Sequence, residues 1–230
     1  MGIQSYTHYN MQTRWEPAIS GADIGRPTAR GERTGGHLAL DFANTISWRR
    51  TDHSIEYLPD YNALLAWARR IGRLSADEVR RLGNQAARHP ELGGRALAAA
   101  RELREAIHQL GAALATHQKP SASALGVVHL ARVRALAAAR LVPGQRGATL
   151  AWDAEAAGLD RPWFSVAVAA AELLQSPELA RLRMCEGRDC AWLFLDCSRN
   201  RSRRWCAPGD CGNRERVRRF HERRRRSARR

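Results

Sequence analysis

The spacing of four cysteines near the C-terminal end of the chain constrains the fold more than any other feature. Cys185 and Cys190 enclose four residues, Cys206 and Cys211 enclose four more, and fifteen residues separate the two pairs. Two short loops of this kind can bring four thiolates to the corners of a tetrahedron around Zn²⁺. Four cysteines without a histidine leave no open coordination position, so the pattern predicts one structural zinc ion rather than a catalytic one.

The segment between the two pairs has the pattern of a small β-hairpin. Trp192, Phe194 and Asp196 alternate with leucines, the sequence CSRNRS is polar and turn-like, and Trp205 follows on the predicted return strand. We expect the three aromatic side chains to form the core of this unit. Because a unit of this size buries little apolar area, the metal must supply much of its folding free energy.

The fifth cysteine, Cys197, falls in the predicted turn. All five cysteines lie between residues 185 and 211, and in a cytoplasmic protein such a cluster favours metal ligands over disulfides. With four thiols assigned to the metal, Cys197 has no thiol partner left. We therefore interpret it as an incidental thiol rather than a redox centre.

Positive charge is concentrated in the same region. The chain has 38 Lys and Arg residues against 23 Asp and Glu, and residues 181–230 hold 17 arginines against six acidic residues. This concentration predicts a polyanionic partner, with a solvated basic tail as the alternative. No apolar run is long enough to cross a membrane and no secretory signal opens the sequence, so we expect a cytoplasmic, nucleoid-associated protein without a membrane partner.

A basic helix is predicted directly after the last cysteine of the pattern. Asn213 is a favourable N-cap for RERVRRFHERRRRSARR, in which Val217 and Phe220 are spaced to pack on the metal-binding loops. An arginine-coated helix held by a metal site suits the major groove or the phosphate backbone of DNA, and RNA is the alternative partner. The candidate nucleic-acid contacts are Arg203, Arg204, Asn213, Arg214, Arg216, Arg218, Arg219, Arg223 and Arg224.

The rest of the chain is predicted to be mainly helical. Helical patterns cover 61–72, 75–88, 95–117, 121–140 and 161–176, a β-hairpin is expected at 141–153, and the run after residue 37 fits either a strand or a helix. The fold class is therefore mainly α with a small β element (α+β). We divide the chain into a flexible extension at 1–34, a helical domain at 35–180 and the cysteine-rich module with its basic helix at 181–230.

The helical region contains no catalytic motif, so we expect no enzymatic activity. Its candidate site residues are Asp41 and Asn44, which lie close to the Gly35–Gly36 pair. They either contact a small-molecule effector or, as we favour, make buried hydrogen bonds at a chain reversal.

Three segments resemble known bacterial families. CEGRDCAWLFLDCSRN and RRWCAPGDCGNR resemble the CGNR zinc finger, and GGHLALDFANT at 35–45 resembles the opening of the ABATE domain that precedes this finger. The resemblance implies a stress-induced transcription regulator in which the finger binds DNA and Cys185, Cys190, Cys206 and Cys211 bind zinc. The chain is thus expected to be a zinc-dependent DNA-binding regulator whose N-terminal domain senses a signal or forms a homodimer. An RNA-binding stress protein that uses the same basic module is the alternative.

Overall fold

The computed structural model of the protein describes residues 34–144 and 147–227. The extension predicted at 1–34 lies outside the described residues, apart from Thr34. The helices of the described part are α1 (Leu38–Ala43), α2 (Tyr61–Arg70), α3 (Ala76–Arg88), α4 (Pro90–Ala115), α5 (Ala122–Ala137), α6 (Ala154–Ala157), α7 (Arg161–Gln175) and α8 (Asn213–Ser227). The strands are β1 (Ile46–Ser47), β2 (Ile55–Glu56), β3 (Ala139–Gly144), β4 (Gly147–Trp152), β5 (Leu182–Met184) and β6 (Leu193–Leu195). Among these helices, none is both long and apolar enough to span a membrane.

Capping residues and a close helix contact set the boundaries of α3 and α4. Ser75 and Glu78 form a complete capping box at the start of α3, as their spacing predicts. α4 starts at Pro90 rather than at residue 95, and the buried Gly93 lies within it. A Cβ atom on Gly93 would be only 3.2 Å from the Cβ atom of Ala86. The glycine therefore lets α3 and α4 approach each other instead of interrupting the helix.

The ambiguous run after residue 37 is the helix α1, and all six of its residues are buried. A helix that is buried on all sides has no solvent-exposed polar face, so its periodicity is not visible in so short a sequence. The two glycines before it are required by geometry. Gly36 has a φ of +72°, and a Cβ atom on Gly35 would lie 2.7 Å from that of Leu40.

α1 lies at the centre of the main hydrophobic core and contacts α4, α7 and β6. The largest fully buried side chains include Trp67, Trp163 and Phe42, and the rings of Phe42 and Trp67 are 4.9 Å apart. Each such side chain contributes about 1.5–3 kcal/mol by leaving water. Helices α4, α5 and α7 pack on one another around this centre.

A partly buried ion pair attaches the hairpin formed by β1 and β2 to α4. The guanidinium of Arg104, which is 3% exposed, donates to both carboxylate oxygens of Glu56 at 2.6 and 2.7 Å. Burial alone would raise the pKa of Glu56, but the bonds from Arg104 and from the Leu58 N–H outweigh it, so the pKa is lowered. The carboxylate therefore stays charged and holds the hairpin in place.

Two further hairpins complete the fold. The one predicted at 141–153 is confirmed, because β3 pairs antiparallel with β4 from Ala139↔Trp152 to Gly144↔Gly147. The hairpin of the cysteine-rich module is different from its prediction. β6 pairs antiparallel with β5, which precedes the first cysteine, and no return strand forms within the described residues 196–207.

The pairing of β6 with β5 places the cysteine-rich module against the helices. Leu182, Leu193 and Leu195 belong to the main core, where β5 contacts α4 and β6 contacts both α1 and α4. The alternating pattern correctly predicts the strand β6, but the predicted partner strand was wrong. The pattern of a strand reports its own burial and does not identify the strand that pairs with it. The module therefore shares its hydrophobic core with the helical region.

Candidate metal centre and nucleic-acid interface

The four cysteines of the spacing pattern converge on one point. Their Sγ atoms all lie within 4.8 Å of one another, and all four side chains are buried. The Sγ atom of Cys206 is 3.6 Å from those of Cys190 and Cys211. Zinc–sulfur bonds of about 2.3 Å in a tetrahedron separate the sulfurs by about 3.8 Å, so this donor set fits Zn²⁺. Cys197 is exposed and lies outside the cluster.

N–H groups around the centre donate to its sulfur atoms. The backbone N–H groups of Gly187 and Cys206 donate to Cys185 Sγ at 3.4 and 3.3 Å, and the Arg214 guanidinium donates to Cys211 Sγ at 3.0 Å. These donors stabilise thiolates, which concentrate negative charge in a site of four cysteines.

The aromatic core predicted for the module is confirmed. Trp192 and Phe194 are buried beside the cysteines, and Trp205 packs against them. The indole Nε1–H of Trp192 donates to the carbonyl of Ile46 at 2.8 Å. The metal centre is therefore joined to the β1 strand through the largest side chain of its own core.

The N-terminal segment 35–45 holds the central strand of the module. Asn44 Nδ2 donates to the carbonyl of Leu193 at 2.8 Å, and the Leu193 N–H donates to Asn44 Oδ1 at 2.9 Å. The N–H of Leu195 donates to the carbonyl of Gly35 at 2.8 Å. Asn44 and Leu193 are 3% and 0% exposed. The amide of Asn44 thus pairs with β6 as the backbone of a neighbouring strand would.

Asp41, the other candidate residue of this segment, stabilises the chain reversal before α1. Its Oδ1 atom accepts a hydrogen bond from the Gly35 N–H at 2.9 Å, and the side chain is 1% exposed. Both Asp41 and Asn44 are therefore engaged in buried hydrogen bonds, which favours the structural interpretation over contact with an effector.

His108 and Gly111, on the same side of α4, also contact the module and were missed by the sequence patterns. His108 Nε2 lies 2.9 Å from the carbonyl of Ala191. Because a carbonyl only accepts, the ring proton is on Nε2. Burial lowers the pKa of His108 to about 4, which keeps the ring neutral. A Cβ atom on Gly111 would be 2.4 Å from Leu193 Cδ1, so only glycine allows this close approach. In the sequence, a glycine inside a regular helical pattern indicates such a contact.

Arg203 makes several contacts within the cysteine-rich module. Its guanidinium lies over the ring of Phe194, 4.3 Å from the centroid, and donates to the carbonyls of Trp205 at 3.0 Å and Thr34 at 3.3 Å. It also donates to the carbonyl of Cys206. These bonds of Nε and Nη2 fix the second cysteine loop, and the contact of Arg203 with nucleic acid stays a prediction.

Arg204 and Arg214 have partners within the module but remain partly exposed. Arg204 Nε donates to Glu186 at 2.7 Å. Arg214 forms an ion pair with Asp210 at 3.3 Å besides its bond to Cys211. Burial alone would lower the pKa of Arg214, but the bond to Cys211 outweighs it, so the pKa is raised. Exposed ion pairs of this kind contribute little to stability.

The junction between the metal centre and α8 corrects the prediction for Asn213. Its φ of −69° and ψ of −46° are helical, because Pro208–Gly212 forms a π-helical turn that runs directly into α8. Asn213 is therefore not an N-cap. Cys211 lies in the same continuous helical segment as α8, so a zinc ion bound to this cysteine fixes the direction of the basic helix.

α8 has two faces of different electrostatic character. On the first, which we call the paired face, Glu215 accepts bonds from Arg218 at 2.6 Å and Arg219 at 2.9 Å, and Glu222 accepts another from Arg218. The helical repeat places Val217, Phe220 and Arg224 opposite this face, with Arg216 and Arg223 along the adjoining side. This second face, the open face, carries Arg216, Val217, Phe220, Arg223 and Arg224. Within the described part of the chain, no acidic side chain pairs with its three arginines.

The two apolar residues of the open face do not pack on the metal-binding loops. Val217 is 48% exposed and Phe220 is 49% exposed. The prediction was wrong because α8 leaves the centre in continuation of the π-helical turn, so positions beyond its first turn already project away from the loops.

The fold and the metal centre define the class of the protein: a helical protein that carries a four-cysteine zinc finger followed by a basic helix. Residues 36–177 match the ABATE family, described as "Putative stress-induced transcription regulator", and residues 181–224 match the CGNR zinc finger family. The chain therefore belongs to the ABATE family and has a CGNR zinc finger with one structural Zn²⁺. No curated protein matches the chain.

Proposed function

We propose that the protein is a zinc-dependent, DNA-binding transcription regulator that acts in the cytoplasm at the nucleoid in response to stress. Cys185, Cys190, Cys206 and Cys211 serve as the zinc ligands. The finger and α8 contact DNA, while the helical region at 35–180 senses a signal or forms a homodimer.

The observation that carries this proposal is the open face of α8. Three arginines that have no acidic partner among the described residues lie on one side of a helix whose first turn is continuous with the zinc ligand Cys211. A helix of this width fits the major groove, and guanidinium groups bind phosphates and guanine edges. A bound zinc ion supplies the cross-link that holds this helix in one direction. The candidate contacts with DNA are Arg203, Arg204, Asn213, Arg214, Arg216, Arg218, Arg219, Arg223 and Arg224.

Recovery of genomic DNA tests the proposal directly. The full-length zinc-loaded protein is mixed with fragments of its own genome at near-physiological salt, and the bound fragments are sequenced. We expect one shared motif, which disappears when zinc is chelated or in Cys211→Ser. Cys197→Ser is the matched control, because Cys197 is exposed and outside the cluster, and it should recover the same motif. Equal recovery of all fragments would contradict a sequence-specific regulator.

Cellular RNA provides the competing arm of the same experiment. Base recognition in RNA uses aromatic side chains as stacking surfaces, but Trp192 and Phe194 are only 5% and 0% exposed. Burial removes these two rings as stacking surfaces for RNA bases, although Phe220 remains half exposed. The fit of α8 to the major groove is therefore the reason to prefer DNA as the partner. Displacement of the DNA by structured RNA at equal concentration would reverse that preference.

For the helical region, the exposed apolar residues of α5 support the homodimer. Leu130 is 64% exposed and Val133 is 50% exposed, one helical turn apart. We expect the full-length protein to sediment as a dimer and the double variant Leu130→Glu, Val133→Glu to sediment as a folded monomer. A wild-type monomer at all concentrations would leave signal sensing as the role of this region.

A further inference from the structure

We propose that α8 enters the major groove of DNA with its open face and that Val217 and Phe220 contact the C5-methyl groups of thymines. This inference rests on the proposed function, because it names the side of the helix and the chemical group of DNA that it recognises.

The first observation is the separation of the arginines into two sets. Arg218 and Arg219 are held by Glu215, and Arg218 also by Glu222. Phosphate contacts by these arginines would have to replace existing ion pairs, and two carboxylates would then face the DNA. The open face has no such carboxylate among the described residues, so its positive charge is directly available to a polyanion.

The second observation is the apolar pair within this charged face. Val217 and Phe220 are each about half exposed, and the guanidinium of Arg224 lies 5.7 Å from the centroid of the Phe220 ring. Exposed apolar residues surrounded by arginines are unsuited to a second copy of the same helix, because like charges would be brought together. The complementary partner is apolar in a small area and negatively charged around it.

The major groove of DNA has this character where thymines occur. The thymine C5-methyl group projects into the groove, and both edges of the groove are lined by phosphates. An α-helix fits the major groove, whereas the major groove of A-form RNA is too narrow for side chains to read. Phe220 and Val217 would therefore contact methyl groups while Arg216, Arg223 and Arg224 contact phosphates or guanine edges.

Two synthetic duplexes that differ only in the methyl group test this inference without knowledge of the natural target. The probes are alternating poly(dA–dT) and alternating poly(dA–dU), titrated with the full-length zinc-loaded protein. Burial of one methyl group corresponds to about a fourfold gain in affinity. We expect the dA–dT duplex to bind at least about fourfold more tightly. Phe220→Ala should reduce this ratio, and the double variant Val217→Ala, Phe220→Ala should remove it.

Matched variants separate the contact from general effects on the helix. Phe220→Leu keeps an apolar side chain and should retain part of the ratio. Arg216→Ala, on the open face, should lower the salt-dependence slope of binding by about one, while Arg218→Ala, on the paired face, should lower it less. Both arginine variants should keep the preference for the dA–dT duplex, and circular dichroism verifies that each variant is helical.

The remaining outcomes each overturn a different part of the reasoning. Equal binding of both duplexes, unchanged by Phe220→Ala, would refute the methyl contact while leaving DNA binding intact. Absence of binding to either duplex or to genomic DNA would refute the proposed function itself. Tighter binding of poly(rA–rU) would indicate RNA, and dissociation of a dimer by Phe220→Ala would show that the open face is a protein interface.

Discussion

Replacement of Asn44 by alanine removes two of the three hydrogen bonds described between the N-terminal segment and β6. The Asn44 amide donates to the Leu193 carbonyl and accepts from the Leu193 N–H, and Leu193 is fully buried. Alanine would leave both backbone groups without this partner. Each buried polar group that loses its partner costs about 1–3 kcal/mol, so for two groups we expect the free energy of unfolding to fall by about 2–6 kcal/mol.

Chemical denaturation of the zinc-loaded protein measures this loss, and hydrogen exchange of the Leu193 amide locates it. Asn84→Ala is the matched control. Asn84 is exposed on α3, where alanine has the better helix propensity, so its effect should stay within about 0.5 kcal/mol. A loss below about 1 kcal/mol for Asn44→Ala, with unchanged protection of the Leu193 amide, would refute the assignment of Asn44 as the clamp of β6.

Asn44→Asp gives an independent test of the same contact. An ionised aspartate still accepts from the Leu193 N–H but cannot donate to the Leu193 carbonyl, and it places a negative charge next to that oxygen. Protonation restores a donor, so the loss of stability relative to wild type should be smaller at pH 5 than at pH 8. A loss independent of pH would contradict the proposed pairing.

Three other perturbations test the zinc centre, Arg203 and the buried histidines. Chelation of zinc should reduce hydrogen-exchange protection in α1 as well as in β6, because both belong to the same core. Loss of protection in the zinc finger alone would contradict this expectation. Arg203→Ala should lower the free energy of unfolding by about 1.5–3 kcal/mol. The control variant Arg199→Ala, at an exposed position, should have little effect. Equal losses for the two variants in chemical denaturation would refute the structural role of Arg203. Burial lowers the pKa values of His37 and His108 to about 4, so the unfolded chain binds more protons between pH 4 and 6.5. The contribution of the neutral histidines to the free energy of unfolding should be fully present above pH 6.5. It should fall as the pH decreases toward 4, by at most about 1.4 kcal/mol per pH unit for each histidine. In denaturation series across this range, His108→Gln should flatten the slope and the exposed His129→Gln should not.

The features that local sequence predicted correctly are those whose physics is local. Two cysteine pairs with short loops can reach one metal ion in almost any context, so the zinc centre is evident from spacing alone. The capping box at Ser75 and Glu78 and the hairpin at 141–153 depend on neighbouring residues only. The concentration of arginines after Cys211 likewise indicates a polyanionic partner without knowledge of the fold.

The tertiary structure decided which residues these local units meet. Asn44 and Leu193 are 149 positions apart in the chain, and no periodicity connects an amide in one segment with a backbone in another. The same reason explains why Arg203 faces inward and why Phe220 faces solvent. Spacing and propensity specify what each segment can form, but burial and hydrogen-bond satisfaction across the whole chain select its partners.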